Sequence, residues 1–292
     1  MSDWIEIGIL LNPSAQEAAT EILYNQDSQG IWLEEDENGI IIRSYFPKDD
    51  LNPEKIKLIK NKIEGLAKFG LEPGNVEILT DEVKKEDWAT NWKEYFYPEK
   101  ITDQFVVKPT WREYEPKSEE LVIEIDPGMA FGTGTHASTF LAIQALEEFA
   151  SDRKNMLDVG TGSGILSIAG ALLGVPNIIG VDISSVAVKV ATENVLLNNA
   201  QKKVTIMRSD MVDRIIEKGK TFELITANML SHLLVQLIPD LPRVIEDNGY
   251  FIGSGIDTEH FLEVQQALEK VDFKVERIYR DGEWVALTAK KV

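Results

Sequence analysis

The sequence predicts an α/β chain in which a mostly parallel seven-stranded sheet, ending in an antiparallel hairpin, follows a small α+β domain. Three observations predict it. Beyond residue 120, short apolar runs alternate with helical segments, the texture of a parallel sheet covered by helices on its faces. The last two of those runs are joined only by Arg280-Asp281-Gly282-Glu283, so short a turn that the two strands must pair antiparallel. Before residue 80, two helical stripes interleave with four strand-like runs in the order βαββαβ, that of a ferredoxin-like domain.

The elements follow in order. Trp4-Ile5-Glu6-Ile7-Gly8-Ile9-Leu10 is β-rich, and Pro13-Ser14 opens a run carrying Ala18, Ile22 and Leu23 at helical spacing. Strands over 31–34 and 40–45 flank the turn signal Asp36-Glu37-Asn38-Gly39. Pro53 suits the first position of a second helix, whose Ile56, Ile59, Ile63 and Leu66 form one stripe ending near Gly70, and a strand over 76–79 closes the domain. Residues 81–116 are charged and aromatic, with Trp88, Trp92, Tyr95, Phe96, Tyr97 and Trp111. A helix over 82–95 is expected there, then breaks at Pro98 and Pro109, so the domain connection falls here and the aromatics read first as interdomain packing, with a substrate groove as the alternative. The expected division is therefore 1–80, a linker over 81–116, and 117–292. In the last part, strands are expected at 156–159, 178–181, 204–207, 224–227, 250–253, 271–279 and 284–289. Helices are expected near 137–149, 164–173, 185–198, 231–246 and 258–270.

Composition narrows the function. A length of 292 residues suits two domains at ~150 residues each. An apolar fraction of 43% with 27% charged residues is that of an ordinary globular chain. No apolar run approaches the ~18 residues of a membrane span, and the first residues lack the basic-then-apolar pattern of a secretory signal. Cysteine is absent, which excludes disulfides and thiol chemistry and fits a cytoplasmic location. Three histidines, at 136, 232 and 260, are too few and too scattered for an ordinary zinc site, so no metal is expected. A formal charge of −19 opposes direct nucleic-acid binding and would attract a basic protein, although acidity also serves solubility alone. The chain is expected to act as a monomer without a membrane partner.

Three strand ends carry candidate chemistry. The first strand of the larger domain runs into Asp158-Val159-Gly160-Thr161-Gly162-Ser163-Gly164 and then a helix. Glycines at such a turn let the backbone bend sharply and let a ligand approach with no Cβ in the way. The spacing is neither that of a dinucleotide fingerprint, which would need glycine at Ile165, nor that of a phosphate loop, which would end in Gly-Lys-Ser/Thr. The second strand ends at Asp182, about twenty residues on, where a carboxylate can accept hydrogen bonds from both hydroxyls of a ribose. Asp182 could alternatively begin the cap of the following helix, although Ser184 and Ser185 are better placed. The fourth strand ends at Ala227-Asn228-Met229-Leu230, aiming the Asn228 amide into the same crevice as donor and acceptor, or leaving it to cap the next helix. Upstream, Asp126-Pro127-Gly128-Met129-Ala130-Phe131-Gly132-Thr133-Gly134-Thr135-His136-Ala137-Ser138-Thr139 reads as a hydrogen-bonding loop poised over a ligand, or as a long turn.

The segment from Asp126 to His136, with the glycine turn, Asp182 and Ala227-Asn228-Met229-Leu230, closely resembles the PrmA family, whose members methylate ribosomal protein L11 of the large subunit. The resemblance extends over nearly the whole chain and departs from the usual pattern at Ala137-Ser138 and Met229. It implies a Rossmann-like class I methyltransferase domain behind a ferredoxin-like one. It implies S-adenosylmethionine as methyl donor, contacted by Thr139, the glycine turn with Gly160 and Gly162, Asp182 and Asn228. It also implies that the N-terminal domain recognises the ribosomal protein and that lysine and α-amino groups accept the methyl. No residue stands out as a general base. The rival readings are a methyltransferase of another macromolecule or small molecule, and a non-catalytic scaffold that binds an adenosine ligand.

Overall fold

The computed structural model describes residues 4–24, 26, 28, 31–36, 39–83, 97–125 and 136–292. They belong to two compact units, residues 1–96 and 97–292. The expected helix over 82–95 with Trp88, Trp92, Tyr95 and Phe96, and the loop 126–135, lie wholly or almost wholly outside the described residues.

In the first unit β1 (Trp4–Leu11) leads through a short 3-10 turn to α1 (Gln16–Tyr24), then β2 (Ile31–Asp36), β3 (Gly39–Pro47), α2 (Pro53–Glu64) and β4 (Ile78–Val83). The sheet order β2-β3-β1-β4, antiparallel throughout, is that of a ferredoxin-like fold. Alternation along the strands puts Ile7, Ile9 and Leu11 of β1 with Ile42 and Phe46 of β3 into one core with Ala19, Leu23, Ile59 and Ile63 of the helices. The start of α2 is fixed by the Asn52 side chain, which accepts from the Lys55 N–H at 2.8 Å, and by Pro53. β4 lies over 78–83 rather than 76–79 because its extent is set by pairing with β1, from Ile9 opposite Ile78 to Trp4 opposite Val83.

The second unit opens with a small sheet that the sequence reading did not foresee. β5 (Glu99–Lys100) pairs antiparallel with β6 (Phe105–Pro109), which pairs parallel with β7 (Leu121–Ile125). Then come α3 (Ala137–Phe149), β8 (Asn155–Val159), α4 (Ile165–Leu172), β9 (Asn177–Asp182), α5 (Ser185–Leu197), β10 (Val204–Arg208), α6 (Asp213–Glu217), β11 (Phe222–Asn228), α7 (Ser231–Leu237), α8 (Leu241–Val244), β12 (Ile245–Asp257), α9 (Phe261–Glu269), β13 (Phe273–Asp281) and β14 (Trp284–Lys291). The single helix expected over 231–246 is instead broken. Pro239 and Pro242 lack the N–H that would continue it, so a 3-10 turn separates α7 from α8, and residues 245 and 246 already belong to β12.

The large sheet has the order β10-β9-β8-β11-β12-β14-β13, parallel as far as β12, with β14 antiparallel to both its neighbours. Neighbouring residues along a strand feed opposite faces: Leu157, Ile225 and Phe251 join one buried cluster, while Met156, Leu224 and Ile252 join another. The strand order reverses between β8 and β11, so a crevice opens beyond their carboxyl ends, where open α/β sheets bind ligands.

Candidate functional site

The turn after β8 is held in a left-handed backbone conformation that only glycine adopts without strain, with φ of 70° at Gly160, 54° at Gly162 and 85° at Gly164. The N–H groups of Gly160 and Thr161 both donate to the Val181 carbonyl, at 2.9 Å each, which ties the turn to β9. Beneath it lies Asp158, fully buried. Its Oδ2 accepts from the hydroxyls of Thr161 at 2.6 Å and Ser167 at 2.8 Å, and its Oδ1 from Thr226 at 2.9 Å. Burial pushes the Asp158 carboxyl above its ordinary range, while the three hydroxyls pull against that shift. One side chain thereby joins β8, the turn, α4 and β11. Gly180 makes room for this arrangement: a Cβ there would stand 2.6 Å from Ile206 Cδ1 and 2.9 Å from the hydroxyl oxygens of both Ser167 and Thr161.

Asp182 ends β9 half-buried. Its Oδ2 accepts from the Gly162 N–H at 3.0 Å and its Oδ1 from the Ser184 N–H at 2.9 Å. The cap of α5 is Ser184, whose Oγ accepts from the Ala187 N–H, so Asp182 couples the end of β9 to the glycine turn instead. Each carboxylate oxygen retains acceptor capacity beyond its one backbone partner.

Asn228 ends β11, and its Nδ2 donates to Thr139 Oγ1 at 3.3 Å. Its side chain does not cap α7, whose N-cap position is Leu230 without a side-chain bond. The next residue, Met229, packs on the turn: its Cε lies 3.0 Å from where a Cβ of Gly160 would be. Thr139 is fully buried in the first turn of α3. The start of that helix is capped by His136, whose Nδ1 accepts from the Ser138 N–H and lies 2.8 Å from Ser138 Oγ. Burial lowers the His136 pKa, and its ring meets Trp284 edge-on at 4.7 Å. Ser254 Oγ of β12 donates to the Ser138 carbonyl at 2.7 Å, anchoring the helix start to the sheet.

Among the expected residues two pairs are in direct contact, Gly162 with Asp182 and Asn228 with Thr139, and Met229, next to Asn228, packs on Gly160, all along the carboxyl edge of the sheet. The sequence reading missed other groups on that edge. Ser209, Asp210 and Met211 follow β10, with the Ser209 N–H on the Asp182 carbonyl at 3.0 Å and Met211 at a φ of 39°. Ile183 is 57% exposed beside Asp182. The rule that ligands gather at strand ends would have pointed to Ser209 and Asp210 had it been applied to β10. The clamp on Asp158 was also missed, since Thr226 is distant in sequence. Among the described residues no cluster of acidic, histidine or cysteine side chains suits a metal ion. The edge offers a carboxylate acceptor, bare glycine backbone and an amide–hydroxyl pair, a set suited to a nucleoside with an attached polar chain.

Comparison with known proteins identifies the family. Residues 3–292 match the family described as ribosomal protein L11 methyltransferase (PrmA). The chain is 38% identical to the ribosomal protein L11 methyltransferase of Alkaliphilus oremlandii (strain OhILAs), with 98% of each chain covered. It is 38% identical to that of Anoxybacillus flavithermus (strain DSM 21510 / WK1), with 99% of each covered. The crystal structure of ribosomal protein L11 methylase from Lactobacillus delbrueckii subsp. bulgaricus superposes with a TM-score of 0.63 at 31% identity, over 67% of this chain and 99% of that one. With nearly its whole length matched and its strand order that of a Rossmann-like methyltransferase, the chain belongs to the PrmA family of ribosomal protein L11 methyltransferases.

Proposed function

We propose that this chain transfers methyl groups from S-adenosylmethionine to lysine and α-amino groups of ribosomal protein L11. The observation that carries the reading is the pairing of the glycine turn with Asp182 and of Asn228 with Thr139 at the ends of strands around the switch point of the sheet, in a chain of this family. The residues suit the donor. Asp182 would take its ribose hydroxyls, the turn at Gly160 and Gly162 would lie against it with no side chain between, and Thr139 with Asn228 would hold its polar amino-acid part.

The donor supplies a methyl carbon on a sulfonium, already carrying a good leaving group. What remains for the chain is alignment of the amine with that carbon, and holding two reactants in line contributes about 7–11 kcal/mol. The amine must arrive neutral. A lysine with an ordinary pKa near ~10.4 must give up its proton on entry, whereas an α-amino group near ~7.7–8.0 is already partly neutral. Desolvation at the site favours the neutral form of both. The first unit serves as the recognition domain for the ribosomal protein, and the net charge of −19 aids encounter with a basic partner. The enzyme works as a cytoplasmic monomer on a protein substrate, with no direct contact to nucleic acid. No helix among the described residues is long and apolar enough to cross a membrane.

Incubating the purified chain with isotopically labelled donor and L11, then mapping label by mass spectrometry, tests the reading. Label on lysine and on the N-terminal amine is expected. No transfer to L11 would refute the substrate assignment. Transfer to another component of a ribosomal extract would change the acceptor, and donor binding without turnover on any component would leave a scaffold.

A further inference from the structure

The carboxyl end of β12 makes contacts that the donor site described above does not account for. Ser254-Gly255-Ile256-Asp257 closes that strand beside Asn228-Met229-Leu230-Ser231, the segment that follows β11. The Met229 N–H donates to the Ser254 carbonyl at 3.1 Å, so the segment stays against β12 for one residue beyond its own strand. Gly255, at a φ of 76°, lets the two backbones close up: a Cβ there would stand 2.6 Å from the Met229 carbonyl oxygen and 3.0 Å from Asn228 Oδ1. The Asn228 amide is therefore bounded on two sides, by the Thr139 hydroxyl at Nδ2 and by the bare face of Gly255 at Oδ1.

Beyond Gly255 a single carboxylate closes the contact. Ser231 Oγ donates to Asp257 Oδ2 at 2.9 Å, and the Asp257 N–H donates back to Ser231 Oγ at 3.3 Å. Ser231 is buried at the first position of α7, where a hydroxyl needs such a partner. The other carboxylate oxygen, Oδ1, accepts from the His260 N–H at 2.9 Å and lies 2.5 Å from His260 Nδ1, at the start of α9. Asp257 also pairs with Trp284 across β12 and β14, and the next residue, Thr258, gives both its N–H and its hydroxyl to the Glu283 carbonyl, at 2.9 Å each. Asp257 is thus tied to the hairpin by strand pairing and to α9 by Oδ1, while Oδ2 and its N–H reach across to Ser231, three residues beyond Asn228.

We infer that Asp257 is a positioning residue for methyl transfer: through Ser231 it holds the Asn228-Met229-Leu230 segment against the end of β12, and so fixes where the Asn228 amide stands beside the methyl donor. The inference rests on the methyl-transfer reading above. It separates rate from affinity. In that reading donor affinity is carried mainly by Asp182 and the glycine turn, on β8 and β9, which β11 separates from β12. Alignment of amine, methyl carbon and sulfur is more exacting, since a misplacement of about 1 Å costs about a hundredfold in rate.

Single-turnover methyl transfer to L11, with donor and L11 both saturating, tests it in the full chain, beside the urea midpoint and calorimetry of the demethylated donor, S-adenosylhomocysteine. Ser231→Ala and Asp257→Ala each remove the link. Each is expected to slow transfer by about ten- to a hundredfold while S-adenosylhomocysteine binds within about threefold of the wild type. Ser231→Ala, the milder change, decides should Asp257→Ala fail to fold. Asp257→Asn should restore most of the rate, since its NH2 can donate to Ser231 Oγ and its oxygen can still accept from the His260 N–H. His260→Gln controls for stability alone: it loses the ring bond but keeps the N–H on Oδ1, so its rate should stay within about twofold of the wild type. Wild-type rates in folded Ser231→Ala and Asp257→Ala chains would overturn the proposal and leave the methyl-transfer reading standing. A rate loss matched by an equal loss of S-adenosylhomocysteine affinity, or shared by His260→Gln, would also overturn it, by making Asp257 a structural link and nothing more. A wild-type chain that transfers no methyl to L11 would overturn both.

Discussion

Asp158 is the most informative position to perturb, because it separates the architecture of the glycine turn from its contact with ligand. Replacing it with alanine strands three hydroxyls, those of Thr161, Ser167 and Thr226, all buried. A buried polar group left unpaired costs about 1–3 kcal/mol. Two offsets apply. Thr161 and Ser167 lie 3.2 Å apart and can pair with each other, and Thr226 Oγ1 also reaches the Leu157 carbonyl at 3.5 Å. Removing a buried carboxylate also relieves a desolvation cost. The net expected loss for Asp158→Ala is about 2–4 kcal/mol, within the range seen when a buried polar network is broken. Asp158→Asn keeps the shape: its oxygen can accept from Thr161 and Ser167 while its NH2 donates to Thr226, so the loss should stay within about 1 kcal/mol. The sign with pH follows from the raised carboxyl. The native form holds this proton more tightly than the unfolded chain, so the group's contribution is fully present below the unfolded pKa and is lost as pH rises through the folded one. Asp158→Asn should therefore gain on the wild type as pH rises from acid to neutral. Urea unfolding followed by tryptophan fluorescence reads all of this, fitted for the second unit alone since two units need not unfold together. An Asp158→Ala chain as stable as the wild type, or an Asp158→Asn chain as damaged as Asp158→Ala, would refute the clamp.

The other expectations concern the same edge. Gly180→Ala drives a methyl into Ile206 and the hydroxyls of Ser167 and Thr161, and overpacking of that kind costs about 1–3 kcal/mol. An unchanged urea midpoint would mean the site is looser than described. Thr139→Val removes the hydroxyl that receives the Asn228 amide while keeping the shape of the residue, so donor affinity should fall by about three- to tenfold with little change in folding. Equal affinity in calorimetry would detach Thr139 from the site. His260 lies 2.5 Å from Asp257, whose other oxygen accepts from Ser231 at 2.9 Å. The hydrogen bond and charge of Asp257 raise the histidine pKa. Burial pulls the Asp257 carboxyl up, but its bonds from His260 and Ser231 outweigh that and hold it below its ordinary value. The stabilisation is thus present between the ordinary values, about 3.9 and about 6.5. It is lost as pH rises through the histidine's raised pKa or falls through the carboxyl's lowered one. His260→Gln should lower the melting temperature most near pH 5 and least near pH 9, and a difference independent of pH would count against the pair.

Much of this was legible before any coordinates, and the reasons are local. The glycine turn, Asp182 and Asn228 each sit where an apolar strand ends, and strand ends are visible as the close of a short apolar run. The antiparallel hairpin was legible because Asp281-Gly282 leaves the chain no other return. The small sheet of β5 to β7 was not, because β6 and β7 are five-residue strands whose pairing, Phe105 opposite Leu121, depends on contacts across a long interval. The break between α7 and α8 was overlooked for the opposite reason. Leu234, Leu237, Leu241 and Val244 keep a helical stripe across Pro239 and Pro242, and the apolar period masked the missing donors. The acid under the turn looked like one more residue of the glycine motif. Its three hydroxyl partners come from the turn, α4 and β11, and only the fold brings them together.

The central claim is that the glycine turn, Asp182 and Asn228 form one site for S-adenosylmethionine. Calorimetric titration of the donor's demethylated product, S-adenosylhomocysteine, into wild-type and Asp182→Ala chains tests it directly. Two hydroxyl bonds to a carboxylate, taken at the low end of ~1.5–3 kcal/mol each because Asp182 is only half-buried, amount to about 3 kcal/mol, or roughly a hundredfold in affinity. Tight binding by the wild type and a loss of that order in a folded Asp182→Ala chain is the expected result; affinity within twofold of the wild type would contradict the account.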